Sequence, residues 1–220
     1  MRGTPLRAAA FLFAVACSAR AEAGLSARFL GNEAVEITDG STTLLTDFPY
    51  KSGAFGYMRY DAAELRPRKD ALCLISHRHD DHFDADLVAK IGCRVYGPPD
   101  VLERVPKAAA LGGSPPIAFG DLTIRPVPTE HAGIGHFSYL VVWKGLRLYF
   151  TGDTGEVRDL SSQGPIDVLF ISPWLLEAAR KANALPEAKR IVVYHHRAGE
   201  APPACSSCFV PRPGEAIELK

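Results

Sequence analysis

The chain has 220 residues, 47% of them hydrophobic and 23% charged, enough apolar material for one sizeable soluble domain. Lys plus Arg and Asp plus Glu balance at 25 each, so the basic footprint of a nucleic-acid-binding protein is absent. The 19 Gly and 17 Pro fall without a period and no segment repeats, which excludes collagen-like and low-complexity organisation.

The chain opens with Arg2 and Arg7, an apolar run over Ala8–Ala16, and a small-x-small sequence at Ala19-Arg20-Ala21. That order predicts a secretory signal peptide over residues 1–21 and export to the periplasm or the exterior. The run is too short for a stable membrane span, which needs about 20 apolar residues. A second reading is a lipoprotein acylated at Cys17, since Ala14-Val15-Ala16-Cys17 loosely resembles a lipobox. Loss of Arg2, Arg7 and Arg20 with the leader leaves 22 basic residues against 25 acidic ones, a mildly acidic mature chain.

Strands are expected over Ser26–Leu30, Ala34–Thr38 and Thr42–Thr46, the last two joined by a hairpin turn at Asp39-Gly40. Asp47–Leu65, with Gly53, Gly56, Pro49 and several aromatics, reads as an ordered loop. Ala71–Ser76 is continuously apolar and suits a strand buried on both faces. Asp84 caps a short helix over Ala85–Ile91, Arg94–Tyr96 is a strand, and a further helix starts at Asp100. Strands at Leu122–Val127, Ser138–Trp143, Leu146–Thr151, Asp167–Ser172 and Ile191–Tyr194, with a helix over Leu175–Leu185, complete a layered α/β pattern. Cys73 and Cys93 lie in apolar surroundings and read as small core residues. Cys205-Ser-Ser-Cys208 reads as a local disulfide pinning the tail, with half a zinc site or a redox motif as the alternatives.

All seven histidines fall at 77/79/82, 131/136 and 195/196, each group just beyond an expected strand. His77 and His79, two residues apart on an extended segment, face the same way and can share one cation. Asp81 and His82 follow where the chain turns, and offer a carboxylate and a third imidazole to a neighbouring ion.

Leu74-Ile-Ser-His77-Arg-His79-Asp-Asp81-His82 resembles the His-x-His-x-Asp-His signature of the metallo-β-lactamase-fold hydrolases, and the likeness extends over about residues 24–220. Leu44-Leu-Thr-Asp-Phe48 is similar to the early strand and loop of the short, lid-free members that include the ascorbate-phosphate lactonases. The resemblance implies an α/β fold, a four-layer αβ/βα sandwich, in residues 24–220. It also implies a third histidine for the first metal, His131 in Val127-Pro-Thr-Glu-His131-Ala-Gly, with His136 as competitor. A bridging carboxylate is implied at Asp153 in Tyr149-Phe-Thr-Gly-Asp153-Thr-Gly. The last ligand would be His195, with His196 beside it as the alternative.

In that scheme His77, His79 and His131 hold one divalent ion, Asp81, His82 and His195 the other, and Asp153 bridges them. His136 and His196 are left as orienting or substrate contacts. Zinc suits the imidazole-rich first group, while the carboxylates leave room for manganese or iron. A water shared by two cations becomes a hydroxide nucleophile near neutral pH without any Ser or Cys, and Asp81 is placed to orient it and take its proton.

Departures from the family narrow the substrate by exclusion. Asp153 stands where one main class of true β-lactamases has Cys, and the chain lacks the basic arm of tRNA-processing members and the added helical domain of glyoxalase-type members. An exported hydrolase of a small-molecule lactone, ester or phosphoester remains. The alternatives are a non-catalytic metal-binding protein of the same fold and a di-iron redox relative. No nucleic-acid partner is implied, and nothing in the chain specifies an oligomeric state. Tyr50, Phe55, Tyr57, Tyr60 and Trp174 are candidates either for pocket walls or for core packing.

Overall fold

A computed structural model describes residues 24–158, 160–200 and 205–219. The expected signal peptide and Cys17 lie outside them. The strands are β1 (Ser26–Gly31), β2 (Ala34–Thr38), β3 (Thr43–Thr46), β4 (Ala71–Leu74), β5 (Arg94–Tyr96), β6 (Ile117–Phe119), β7 (Leu122–Pro128), β8 (Phe137–Trp143), β9 (Leu146–Phe150), β10 (Ile166–Ile171), β11 (Ala188–Val193), β12 (Cys208–Phe209) and β13 (Ala216–Ile217). The helices are α1 (Ala85–Ile91), α2 (Pro99–Leu102) and α3 (Pro173–Lys181). Among the described residues no helix is long and apolar enough to cross a membrane.

Two mixed sheets form, in the orders β13-β1-β2-β3-β4-β5 and β12-β11-β10-β9-β8-β7-β6. The pairs β3-β4, β4-β5, β9-β10, β10-β11 and β11-β12 are parallel and the rest antiparallel. The two-residue period of a strand sorts side chains between layers. In β4, Leu72 and Leu74 enter the core between the sheets, and Ala71 and Cys73 face the layer that holds Val88 and Ile91 of α1. In β10, Val168 and Phe170 face the central core, and Leu169 and Ile171 meet Leu175, Leu176 and Ala179 of α3. Helix layers on both outer faces of two packed sheets make the four-layer α/β sandwich of the metallo-β-lactamase type.

Local chemistry sets the helix ends. The Asp84 carboxylate accepts from the backbone N–H of Asp86 and Leu87, and Gly92 closes α1 in a left-handed conformation. α3 begins two residues before the expected start because Pro173 fits the first helical turn, and it ends at Lys181 rather than Leu185, just before Asn183 at φ 52°. The helix expected at Asp100 is a single turn over α2. Strands β6, β12 and β13 are too short for their patterns to stand out in the sequence.

One expectation for packing is corrected and another resolved. Cys73 and Cys93 are not free core thiols: they form a disulfide that ties β4 to β5, with their Cα atoms 6.3 Å apart. Both face the same layer from adjacent strands, a juxtaposition that residues twenty apart in sequence do not reveal. Of the two roles open to Tyr50 and Tyr60, core packing is the one they take, since both are buried. Their hydroxyls donate to Met58 O and Tyr50 O, each at 2.8 Å, which satisfies the polar ends of rings packed in the core. The expected pairing of Cys205 with Cys208 is present.

Candidate metal centre

Every residue of the centre lies just past the C-terminal end of a strand. β4 leads to His77, His79, Asp81 and His82, β7 to His131, β9 to Asp153, and β11 to His195. β1 and β3 bring up Asn32, Glu33 and Asp47 from behind.

The side chains converge as two donor groups. In the first, His77 Nε2 lies 2.9 Å from His79 Nδ1, and His131 Nε2 lies 3.3 Å from the same atom. Asp153 Oδ2 is 3.3 Å from His131 Nε2 and 4.0 Å from His77 Nε2. In the second, Asp81 Oδ2 is 3.3 Å from His82 Nε2 and 3.4 Å from His195 Nε2, and the two imidazole nitrogens stand 3.0 Å apart. Asp153 Oδ1 reaches to 3.7 Å from His195 Nε2. Four ligands held tetrahedrally at zinc distances lie about 3.3 Å from one another. Both donor groups have that spacing, so their chemistry and arrangement fit divalent cations.

The environment prepares these atoms. Ser76 Oγ sits 2.9 Å from His77 Nδ1, which suits a ring proton there and leaves Nε2 bare. Burial, reinforced by the surrounding imidazoles, pushes the His77 pKa well below the ordinary range. Burial lowers His131 as well, so both rings are neutral donors. In the second group burial works against charge but is outweighed. Hydrogen bonds to His195 and His82 hold the Asp81 carboxyl below its usual range, and those to Asp47 and Asp81 raise His82 well above its own. A cation there replaces a proton on His82, so its binding is coupled to proton release.

Supporting contacts fix the ligand atoms. Asp47 Oδ2 is 3.3 Å from His82 Nδ1, and its other oxygen accepts from Ser76 N at 2.6 Å, so Asp47 orients the ring from behind. Glu33 Oε2 lies 3.6 Å from the same nitrogen, and burial pushes the Glu33 carboxyl well up, towards the neutral acid. Asn32 Nδ2 donates to Asp81 O at 2.8 Å and Oδ2 at 3.3 Å, while Asn32 O accepts from His195 N at 2.8 Å. One residue, through its side chain and its backbone carbonyl, thereby joins the two ligand-bearing loops. His195 itself has φ 51°.

His136 stands behind the donors, in the orienting position. It is buried, its Nε2 accepts from Asp153 N at 3.1 Å, and its Nδ1 lies 2.7 Å from Thr129 Oγ1. With both nitrogens engaged it stands outside the two donor groups and fixes the backbone of Asp153. The neighbouring Gly152, at φ 62°, has room for no side chain: a Cβ would lie 2.6 Å from His136 Nε2 and 2.9 Å from Ser76 Cβ. His196 is not brought to either donor group. Its Nδ1 faces Arg197 O at 3.2 Å, and it lines a separate cavity with Met58, Arg59, Val210 and Arg212.

Sequence reasoning assigned no role to Asn32, Glu33 or Asp47. Asp47 carried a signal, a carboxylate at the end of a strand. Asn32-Glu33 has the composition of a turn, and only its burial sets it apart.

A family model described as a beta-lactamase superfamily domain matches residues 26–173. The chain is similar in structure to Igni18, a metallo hydrolase from the archaeon Ignicoccus hospitalis, at 16% identity and TM-score 0.65 over 88% of this chain and 98% of that one. It is also similar to YhfI from Bacillus subtilis, a metallo-beta-lactamase fold protein, at 16% identity and TM-score 0.63 over 89% and 100%. A third likeness is to CmlA, a diiron beta-hydroxylase from Streptomyces venezuelae, at 17% identity and TM-score 0.57 over 78% of this chain and 44% of that one. A comparison with functionally curated proteins gives no match.

Proposed function

The chain belongs to the beta-lactamase superfamily, and from that premise we propose that it is an exported, dinuclear metal-dependent hydrolase of small-molecule esters, lactones or phosphoesters. The observation that carries this reading is Asp153, whose carboxylate reaches both donor groups: Oδ2 lies 3.3 Å from His131 Nε2 and 3.8 Å from His82 Nε2, and Oδ1 3.7 Å from His195 Nε2. His77, His79 and His131 would hold one ion, Asp81, His82 and His195 the other, with Asp153 between them. Bound there, two divalent cations, zinc best matching the donors, supply Lewis-acid activation of a water and of the bond under attack.

The chain's own residues do the rest. Asp81, kept ionised by its neighbours, is the group placed to take the proton of the attacking water and pass it to the leaving oxygen. Asp47 and Asn32 hold His82 and Asp81 in register, and His136 holds Asp153. Two disulfides among the described residues support the reading of an oxidising, exported setting.

The test is metal content by plasma mass spectrometry, paired with turnover of lactone, ester, phosphodiester and β-lactam substrates before and after chelation. The expected result is about two ions per chain with chelator-sensitive hydrolysis. Failure to bind metal after reconstitution overturns the ligand assignment. Metal without turnover points instead to a binding protein of the same fold, and iron with oxygen consumption to a redox relative.

A further inference from the structure

The donor cluster reaches solvent on the side of His79, His131 and Asp153, which are only partly buried. Around that opening stand aromatic side chains that core packing does not require. Phe55 is 64% exposed, sits at φ 50°, and has its ring centroid 6.5 Å from that of His79, edge-on. A bulky residue in the left-handed region is disfavoured, and this one gains no buried contact in return. Trp174, at 36% exposure, lies 4.9 Å from His195, also edge-on, and its Nε1 donates to Thr154 O at 3.2 Å, which sets the ring plane. Tyr57 packs 4.3 Å from His195. Phe55 therefore flanks the first donor group, and Tyr57 and Trp174 the second.

Above Tyr57 lies a cation. The Arg197 guanidinium carbon is 5.5 Å from the Tyr57 ring centroid, and the backbones of the two residues are joined by an antiparallel bridge. Several neighbouring charges are matched, Lys51 with Asp80 at 3.5 Å, Arg78 with Asp100 at 2.8 Å, and Glu156 with Arg158 at 3.3 Å, while the exposed Arg59 side chain lies against Gly53. The nearby Glu200 carboxylate accepts from the backbone N–H of Arg197, at 2.9 Å. Among the described residues no carboxylate forms an ion pair with the Arg197 guanidinium. Stacking occupies one face of that group and leaves its in-plane N–H donors free to grip a planar or tetrahedral anion.

We propose that this rim recognises the substrate, and that the substrate is an anion with an apolar body. The apolar part packs between Phe55 and Trp174, and a carboxylate or phosphate-type group, separate from the reacting bond, pairs with Arg197. This rests on the hydrolase reading, since it names the substrate class of the same site.

Two arms test it. In the first, wild-type and Arg197→Ala proteins are compared on 4-nitrophenyl hemisuccinate, which carries a carboxylate, and on the neutral 4-nitrophenyl butyrate. The wild type should favour the anion in kcat/KM, and the variant should lose about 10- to 100-fold of that preference, the worth of one charge-assisted contact. Arg197→Lys should retain part of it. No preference in the wild type, or the same preference in the variant, overturns the proposal.

The second arm needs no turnover, so it stays informative if the hydrolase reading fails. Trp174 fluorescence is titrated with phenylacetate, phenylphosphonate and the neutral 2-phenylacetamide, with Trp174→Phe reporting the background from buried Trp143. At equal metal content, an anion should bind about 10-fold or more tightly than the amide in the wild type, and no better than it in Arg197→Ala. The stronger of the two anions identifies carboxylate or phosphoryl chemistry. Equal binding of all three probes overturns the proposal.

Discussion

Asp81 is where residue-scale chemistry is most exposed to test. Its Oδ2 lies 3.3 Å from His82 Nε2 and 3.4 Å from His195 Nε2, nearer to both ring nitrogens than the Asp153 carboxylate at 3.8 and 3.7 Å. Asp81→Ala should lower metal content from about two ions to about one and reduce turnover by at least ~100-fold, measured by plasma mass spectrometry and steady-state kinetics. Full turnover in this variant would remove Asp81 from the mechanism. His136 acts differently: its Nε2 accepts from the backbone N–H of Asp153, and its ring packs beside His77 and His131. His136→Ala should weaken metal binding by about 10- to 100-fold, read by competition with a fluorescent chelator, since the groups that orient ligands commonly carry effects of that size. Unchanged affinity would mean that Gly152 and its packing suffice to place the carboxylate. The ligand types and the spacing of residues 77–82 were legible in the sequence because an extended segment fixes which side chains share a face. The division of labour between His131 and His136, and between His195 and His196, depends on where loops turn, which no spacing encodes.

At the scale of elements, β4 is the part on which the centre depends. It is buried on both faces, pairs in parallel with β3 and β5, and its end launches four of the seven donor side chains. The Cys73–Cys93 disulfide braces it against β5, closing a loop of sequence separation 20. Replacing both cysteines by alanine should cost about 3 kcal/mol by the loop-closure argument, or roughly 6–12 °C in Tm. Calorimetry of the double variant, and of the wild type with and without reductant, checks it; an unshifted Tm would mean that sheet pairing alone secures β4. The apolar run Ala71–Ser76 announced the strand, yet its cysteine looked like any other core residue. A disulfide is a statement about two strands at once, and the pairing of β4 with β5 is tertiary information. By contrast α1 could be read to the residue, since Asp84 and Gly92 are local start and stop signals.

For the whole molecule, the centre is also a clasp. His77, His79, Asp81 and His82 follow a strand of one sheet, and His131, Asp153 and His195 follow strands of the other. Cations held between them bind the native arrangement and not the unfolded chain, so they stabilise by mass action, about 4 kcal/mol when metal is 1,000-fold above its Kd. Chelation should therefore lower Tm by roughly 8–16 °C, and re-addition of the ion should restore it. Scanning calorimetry of the chelated and reconstituted protein makes the measurement. A Tm indifferent to chelation would show that the sheets hold the site without help from the metal.

The sequence by itself determined the class of fold, the longer strands along the chain and the residue types that surround the centre. These follow from local rules: alternating or continuous apolar runs, turn residues, and histidines set at strand ends. Only the tertiary structure decided which histidines face inward, that Asn32 and Asp47 support the ligands, that Cys73 meets Cys93, and that Phe55, Tyr57, Trp174 and Arg197 share one rim. Each of these joins segments far apart in the chain. Their meeting is fixed by how two sheets pack and where their loops turn, a property of the folded whole that no window of sequence contains.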